Sequence, residues 1–169
     1  MSIFKVRLLK GIVTCPVKPA VSVTWESCGR ELKDAIRQRF GRSLHVRQVD
    51  TGSCGACTSE IISTHNPVYD LQRFGVNFVA SPRHADALVV TGPVSRNMAL
   101  ALKRTYEAMP EPKFVIAVGD CARDGGVFRA SFYTEGGVHG YPVVLHIPGC
   151  PPSPLQIIQA LLAFLKNPS

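Results

Sequence analysis

The stretch Lys113-Phe114-Val115-Ile116-Ala117-Val118-Gly119-Asp120-Cys121 decides the fold. Phe114 to Val118 is apolar without alternation and rich in β-branched residues. That is the pattern of a strand buried on both faces, which occurs where helices cover both sides of a parallel sheet. The run stops at a glycine and reaches a cysteine two residues later. Working outward, the design recurs. Upstream, Ala87-Leu88-Val89-Val90-Thr91-Gly92 reads as a second buried strand, and Arg96 to Met109 as a helix stopped by Pro110 and Pro112. Downstream, Val143-Val144-Leu145-His146-Ile147 reads as a strand, Pro148-Gly149-Cys150-Pro151-Pro152 as a loop, and Pro154 to Leu165 as a helix with proline at its start. Nearer the amino end, Ser43 to Asp50 is a partly alternating strand that runs into the turn Thr51-Gly52-Ser53-Cys54-Gly55-Ala56-Cys57. A helix is expected from Ser59, a turn with helical character at Tyr69-Asp70-Leu71, and a short strand at Phe78-Val79. Strands alternating with helices predict an α/β fold, a mainly parallel sheet with helices on both faces. Ligands in such sheets sit beyond the carboxyl ends of the strands, and three of those ends here lead into cysteines.

Residues Glu26 to Phe40 carry Leu32, Ile36 and Phe40 at i, i+4 and i+8, an amphipathic helix stopped by Gly41. Residues 1–25 are apolar and broken by Pro16 and Pro19, which reads as an extended arm; residues 26–169 then form a single domain. A chain of 169 residues can bury roughly two thirds of its unfolded surface around one core. With 46% hydrophobic and only 18% charged residues, some apolar surface is expected to be covered by other subunits. No run approaches the ~18 to 20 apolar residues of a membrane span, and the first ten residues lack the h-region of a secretory signal, so a cytoplasmic protein is expected. The net charge of +7 is concentrated in Arg30, Lys33, Arg37, Arg39, Arg42 and Arg47. The one aromatic residue among them, Phe40, belongs to the apolar face of the helix, so they do not form a base-stacking platform and no nucleic-acid partner is expected. A solvated helix face, or a contact with a subunit or a membrane surface, is the expected use of that charge.

Six cysteines in a cytoplasmic chain of this size are not a disulfide framework. Cys54, Cys57, Cys121 and Cys150 each lie in an expected loop beside Gly or Pro, whereas Cys15 lies in the arm and Cys28 near a helix start, where plain thiols are expected. Four thiolates suit a 4Fe-4S cluster, and the neighbouring glycines let backbone N–H groups approach it. A lone Cys-x2-Cys is equally compatible with zinc or with a redox dithiol, although structural zinc usually takes two close pairs and here the last two cysteines are single and distant.

Four motifs follow one another along the chain: Val49-Asp50-Thr51-Gly52-Ser53-Cys54-Gly55-Ala56-Cys57, Ala80-Ser81-Pro82-Arg83-His84-Ala85-Asp86, Gly119-Asp120-Cys121-Ala122 and Ile147-Pro148-Gly149-Cys150-Pro151-Pro152. In this order, from about Leu44 to Phe164, the chain resembles the small subunit of membrane-associated, energy-converting nickel-iron hydrogenases, which is related to the 20 kDa subunit of respiratory complex I. The resemblance implies a flavodoxin-like fold, with Cys54, Cys57, Cys121 and Cys150 as ligands of one 4Fe-4S cluster, the one nearest the catalytic centre. It implies an electron-transfer subunit of a formate hydrogenlyase-like or energy-converting hydrogenase. The partners would be a large subunit bearing the nickel-iron site (or its complex I 49 kDa-like counterpart), a ferredoxin-like iron-sulfur subunit and membrane subunits, with the chain held peripherally on the cytoplasmic side of the membrane. Catalysis would belong to the large subunit. Complex I subunits have adjacent cysteines in the first motif, so Cys54-Gly55-Ala56-Cys57 takes the hydrogenase side. The segment Gly136 to Pro142 and His146 depart from the family pattern. Two other readings are a complex I-type quinone or ferredoxin oxidoreductase subunit and a zinc-stabilised interaction module.

Glu60 and Arg83 are the candidates for residues just outside the ligands. Glu60 could sit beside the cluster or simply complement a helix dipole; Arg83 could raise the cluster's potential or simply pair with Asp86. Asp120, next to Cys121, is expected to cap backbone or to contact a subunit.

Overall fold

The computed structural model describes residues 24–166. The expected arm and Cys15 lie outside the described residues, apart from Thr24 and Trp25. These two belong to helix α1 (Thr24–Phe40), which starts two residues before the expected Glu26. The Trp25 ring explains the early start, because it meets Tyr69 and Phe74 edge-on at centroid distances of 5.8 and 6.1 Å.

The chain continues through β1 (Leu44–Asp50), α2 (Ala56–Ser63), β2 (Val76–Phe78), β3 (Ala87–Thr91), α3 (Arg96–Glu107), β4 (Phe114–Val118), α4 (Asp120–Asp124), β5 (Val143–Ile147) and α5 (Pro154–Lys166), with short 3₁₀ turns at Leu71–Phe74, Pro82–His84 and Gly126–Phe128. All four strand pairings are parallel and the order is β2-β1-β3-β4-β5. This is the flavodoxin-like order, in which strand addition reverses direction between β1 and β3.

Alternate residues of β1, β3 and β4 feed two cores, and β2 and β5 add to the first of them. On one face Val46, Val89, Ile116, Val118 and Ile147 pack with Leu32 and Ile36 of α1, Ile61 of α2, and Ile158 and Leu161 of α5. On the other, Leu88, Val90, Val115 and Ala117 pack with Leu102 of α3 and Ala122 of α4. Every residue of β3 is buried, as its unbroken apolar run requires. β5 lies at the sheet edge, and there Val143 and Val144 are exposed.

β2 has three residues, so the chain leaves it low on the sheet. Val46 of β1 is in register with both Phe78 of β2 and Ala87 of β3, so residues 79–86 begin and end at the level of Val46. That level lies about 13 Å below the end of β1, at four residues of about 3.3 Å each. An anchor closes this lower end: Asp86 accepts from the Arg42 guanidinium at 2.6 and 3.0 Å and from the His45 N–H at 2.9 Å.

Ile116, in a central strand and 1% exposed, sets the spacing between the sheet and α5. Ile116→Ala should cost about 2–5 kcal/mol of unfolding free energy, read from the urea midpoint at unchanged slope.

Candidate metal centre

Parallel register brings the carboxyl ends of β1, β4 and β5 to one edge, and the four cysteines of the motifs follow those ends. Cys54 sits in the turn after β1. Cys57 lies in the first turn of α2, which starts at Ala56, three residues before the expected Ser59. Cys121 is likewise the second residue of α4. Two of the four are therefore helical, where loops were expected for all. Gly55 and Gly119, immediately before the helices, each take positive φ and let the chain turn from strand end to helix within a few residues. Cys57 and Cys121 are buried, 7% and 8% exposed, while Cys54 and Cys150 face outward.

Close approach of backbone and sulfur defines the site. A Cβ on Gly119 would stand 2.5 Å from the Cys57 sulfur, and one on Gly126 would stand 2.9 Å from the Cys121 sulfur. Neither could be accommodated without displacing the sulfur, and both residues have positive φ as well. The last two loops are stitched together. The Asp120 N–H donates to the Gly149 carbonyl at 3.0 Å, and the Gly149 N–H returns a bond to Asp120 Oδ1 at 3.2 Å. Asp120 thus caps backbone. His146 Nε2 lies 3.2 Å from the Gly119 carbonyl.

The first loop is held by Asp50. Its carboxylate accepts from the N–H groups of Gly52 and Ser53 and from the hydroxyls of Ser53 and Thr58, at 2.7–2.9 Å. Burial alone would push its carboxyl up. The bonds from Ser53, Gly52 and Thr58 outweigh that and hold it below the usual carboxylate range. The role of Asp50 was missed in the sequence, although an Asp at a strand end with Ser three residues on is a turn-capping signal. Thr51 is fully buried and ties this loop to the β3 loop: its N–H and hydroxyl both donate to the Thr91 carbonyl at 2.8 Å, and its hydroxyl accepts from the Val94 N–H at 3.1 Å.

The four sulfurs feel one another. Burial pushes the Cys57 thiol up to about 11, and the charges of Cys121, Cys150, Cys54 and Asp120 add to the rise. Cys121 is raised by burial and by Cys150, against a hydrogen bond from the Val127 N–H. Every influence on Cys57 opposes its negative charge, so a set of thiolates here calls for cationic charge from a bound metal. The donor set fits an iron-sulfur cluster: four soft sulfurs, glycine-lined backbone in contact with two of them, and an N–H directed at one. Among the described residues no three His, Cys, Asp or Glu side chains are grouped to hold one ion. The cysteines of a 4Fe-4S cluster each take a different iron and stand wider apart than ligands around one zinc.

The remaining candidates fall differently. Glu60 is half-buried in α2 and forms no ion pair among the described residues. Arg83 is exposed in the Pro82–His84 turn, on the segment that joins β2 to β3. Its expected partner Asp86 is taken by Arg42. Cys28 packs against the core among α1 and α5 residues. An exposed apolar segment follows Cys121: Val127, Phe128, Phe132 and Tyr133 face outward, Val127 and Phe132 at 80% and 84% exposure. Tyr133 approaches the first cysteine loop at Gly52.

The model of the family described as NADH ubiquinone oxidoreductase, 20 Kd subunit, matches residues 54–164. A probable membrane-bound hydrogenase subunit of Pyrococcus furiosus is 46% identical over 76% of this chain and 77% of its own. An NADH-quinone oxidoreductase subunit of Desulfovibrio desulfuricans is 44% identical over 73% of this chain and 67% of its own. Among solved structures, a chain of the archaeal membrane-bound sulfane sulfur reductase, a respiratory membrane complex, is 30% identical, with a TM-score of 0.65 over 82% of this chain and 77% of that one.

In the metal-free chain at pH 8, a thiol held near 11 keeps more than about 100-fold less thiolate than an ordinary exposed cysteine. Iodoacetamide should therefore alkylate Cys57 at least about 10-fold more slowly than an exposed thiol, since the greater nucleophilicity of the high-pKa thiolate offsets part of its scarcity, with the gap closing as pH rises toward 11. Mass mapping of the labelled peptides reads both.

Proposed function

The chain belongs to the family of the 20 kDa subunit of NADH ubiquinone oxidoreductase, and from that premise we propose that it is the electron-transfer small subunit of a hydrogenase complex, binding one 4Fe-4S cluster through Cys54, Cys57, Cys121 and Cys150. The observation that carries this reading is the convergence of the four sulfurs at one sheet edge, with glycine backbone in contact with two of them. A 4Fe-4S cluster bound there would supply a one-electron relay between the partner that does the chemistry and the next iron-sulfur protein.

This chain's own residues do the holding. Cys57 and Cys121 grip from inside, on helix first turns that fix their directions, while Cys54 and Cys150 close the site from the solvent side. The Val127 N–H donates to the Cys121 sulfur and favours its anionic form. Beside them Val127, Phe128, Phe132 and Tyr133 form an apolar surface of the kind a partner covers. A catalytic large subunit seated on it would exclude water from the outward cysteines. No helix among the described residues is long and apolar enough to cross a membrane. Attachment to the cytoplasmic face of a membrane would come from partner subunits, together with a ferredoxin-like subunit that takes or supplies electrons.

The two residues between Cys54 and Cys57 favour the hydrogenase branch, as does the 46% identity to a membrane-bound hydrogenase subunit. The 44% identity to an NADH-quinone oxidoreductase subunit supports the second reading, a complex I-type subunit that contacts no nickel.

Metal analysis and EPR of the purified complex test both. With Cys121→Ser, the complex should lose about four iron and four acid-labile sulfide per chain, or show a converted cluster signal. Cys28→Ser should leave iron and spectrum unchanged. A wild-type chain with one zinc and no EPR signal on reduction would overturn the cluster, and a complex free of nickel would move the chain to the second reading.

A further inference from the structure

The two residues that bracket the first cysteine pair, Ser53 before Cys54 and Thr58 after Cys57, are both tied to one side chain. Asp50 Oδ1 accepts from the N–H groups of Gly52 and Ser53 at 2.9 and 2.8 Å; Oδ2 accepts from the hydroxyls of Ser53 and Thr58 at 2.7 and 2.9 Å. A second layer extends the grip. The Ser53 oxygen accepts from the Gly55 N–H at 3.0 Å, inside the loop, and the Thr58 hydroxyl lies 3.3 Å from that of Thr91 at the end of β3. Gln48 Nε2 donates to the Thr58 oxygen at 3.4 Å. Backbone on both sides of the pair is thereby referred to the last residue of β1, the strand next to the reversal in the sheet.

We propose that Asp50 is a positioning residue for the cluster site, its carboxylate fixing the separation and direction of the Cys54 and Cys57 sulfurs by clamping the loop that joins them at both ends. The inference rests on the cluster reading above and adds a residue outside the ligand set. The physical reason is the shape of the loop. The N–H groups of Gly52, Ser53 and Gly55 find side-chain acceptors instead of a strand or helix, and the outward Cys54 is not held by core packing. A carboxylate has enough acceptor capacity for four donors, and its position on β1 makes the rigid sheet the reference for the loop.

The side chain's geometry separates positioning from charge. In Asp50→Asn the amide oxygen can still accept both N–H groups, and the hydroxyls of Ser53 and Thr58 can rotate to accept from the amide nitrogen, so the clamp survives without its charge. In Asp50→Ala all four bonds are lost.

The experiment uses the full chain in its complex and follows iron loss to a chelator, the EPR line shape of the reduced cluster, and far-UV circular dichroism. Asp50→Ala should lose iron about 10- to 100-fold faster than wild type, the size of effect seen for groups that support metal ligands, with altered g-values. Asp50→Asn should restore the wild-type line shape and bring iron loss back to within a few-fold. If Asp50→Ala matches wild type in both readouts, or if Asp50→Asn is as impaired as Asp50→Ala, the positioning role is overturned. Should Asp50→Ala not fold, Thr58→Val decides by removing a single donor: a shifted or broadened EPR signal supports the clamp and an unchanged one overturns it. A wild-type complex with no cluster signal from this chain refutes the cluster reading instead, so the two failures are distinguishable.

Discussion

The Cys57 sulfur rests against the backbone of Gly119, in a space where a Cβ would stand 2.5 Å away. Much of the molecule follows from allowing that approach. The sulfur comes from the connection after β1 and the glycine from the end of β4, with β3 between those strands. Only parallel strands that end at the same level bring the two together. Parallel strands in turn need crossovers, which supply helices for both faces and bury β3 and β4 completely enough to act as a rigid floor. The burial that gives the floor its rigidity also raises the Cys57 thiol. A site of this kind is poor at holding bare thiolates and suited to thiolates shared with a metal.

The sheet was legible because its central strands are unmistakable. Val89, Val90, Val115 and Ile116 belong to runs with no polar interruption, and such runs fit only a position between two layers of helices. Strand edges were less visible. β2 is three residues long and paired only along the lower part of β1, so its sequence, Val76-Asn77-Phe78, carries too little pattern to fix its bounds. The starts of α2 and α4 were hidden for a different reason. Each begins directly after a glycine with positive φ, and the cysteine in its first turn looks in sequence like part of a glycine-rich loop. Burial settles the difference, and sequence periodicity cannot report burial over so few residues.

The candidate site divides along the same line. The four cysteines could be picked out because a thiol beside glycine at a strand end is a rare coincidence, repeated three times. Asp50 could not be ranked above other acidic residues, since its importance lies in four donors that converge only once the turn has formed. Arg83 shows the converse. The sequence offered Asp86 as its simple ion-pair partner, but Asp86 is bound by the Arg42 guanidinium and the His45 N–H at the end of the sheet away from the cysteines. That anchor accounts for part of the motif without any role in metal chemistry.

The exposure of the four sulfurs carries a last consequence. Cys57 and Cys121 are enclosed by this chain, whereas Cys54, Cys150 and the aromatic segment ending at Tyr133 are left to the outside. A cluster held there is half-solvated by its own subunit. The energy of an added electron depends on the surrounding polarity and charge, so this chain alone would fix only part of the potential of such a cluster, and a partner covering Phe132 and Tyr133 would set the remainder. In such an arrangement one small chain can serve relatives that couple it to different chemistry. The constant work would be the holding of four sulfurs on a rigid sheet edge, and the variable work of setting the driving force would pass to whatever protein closes the open side.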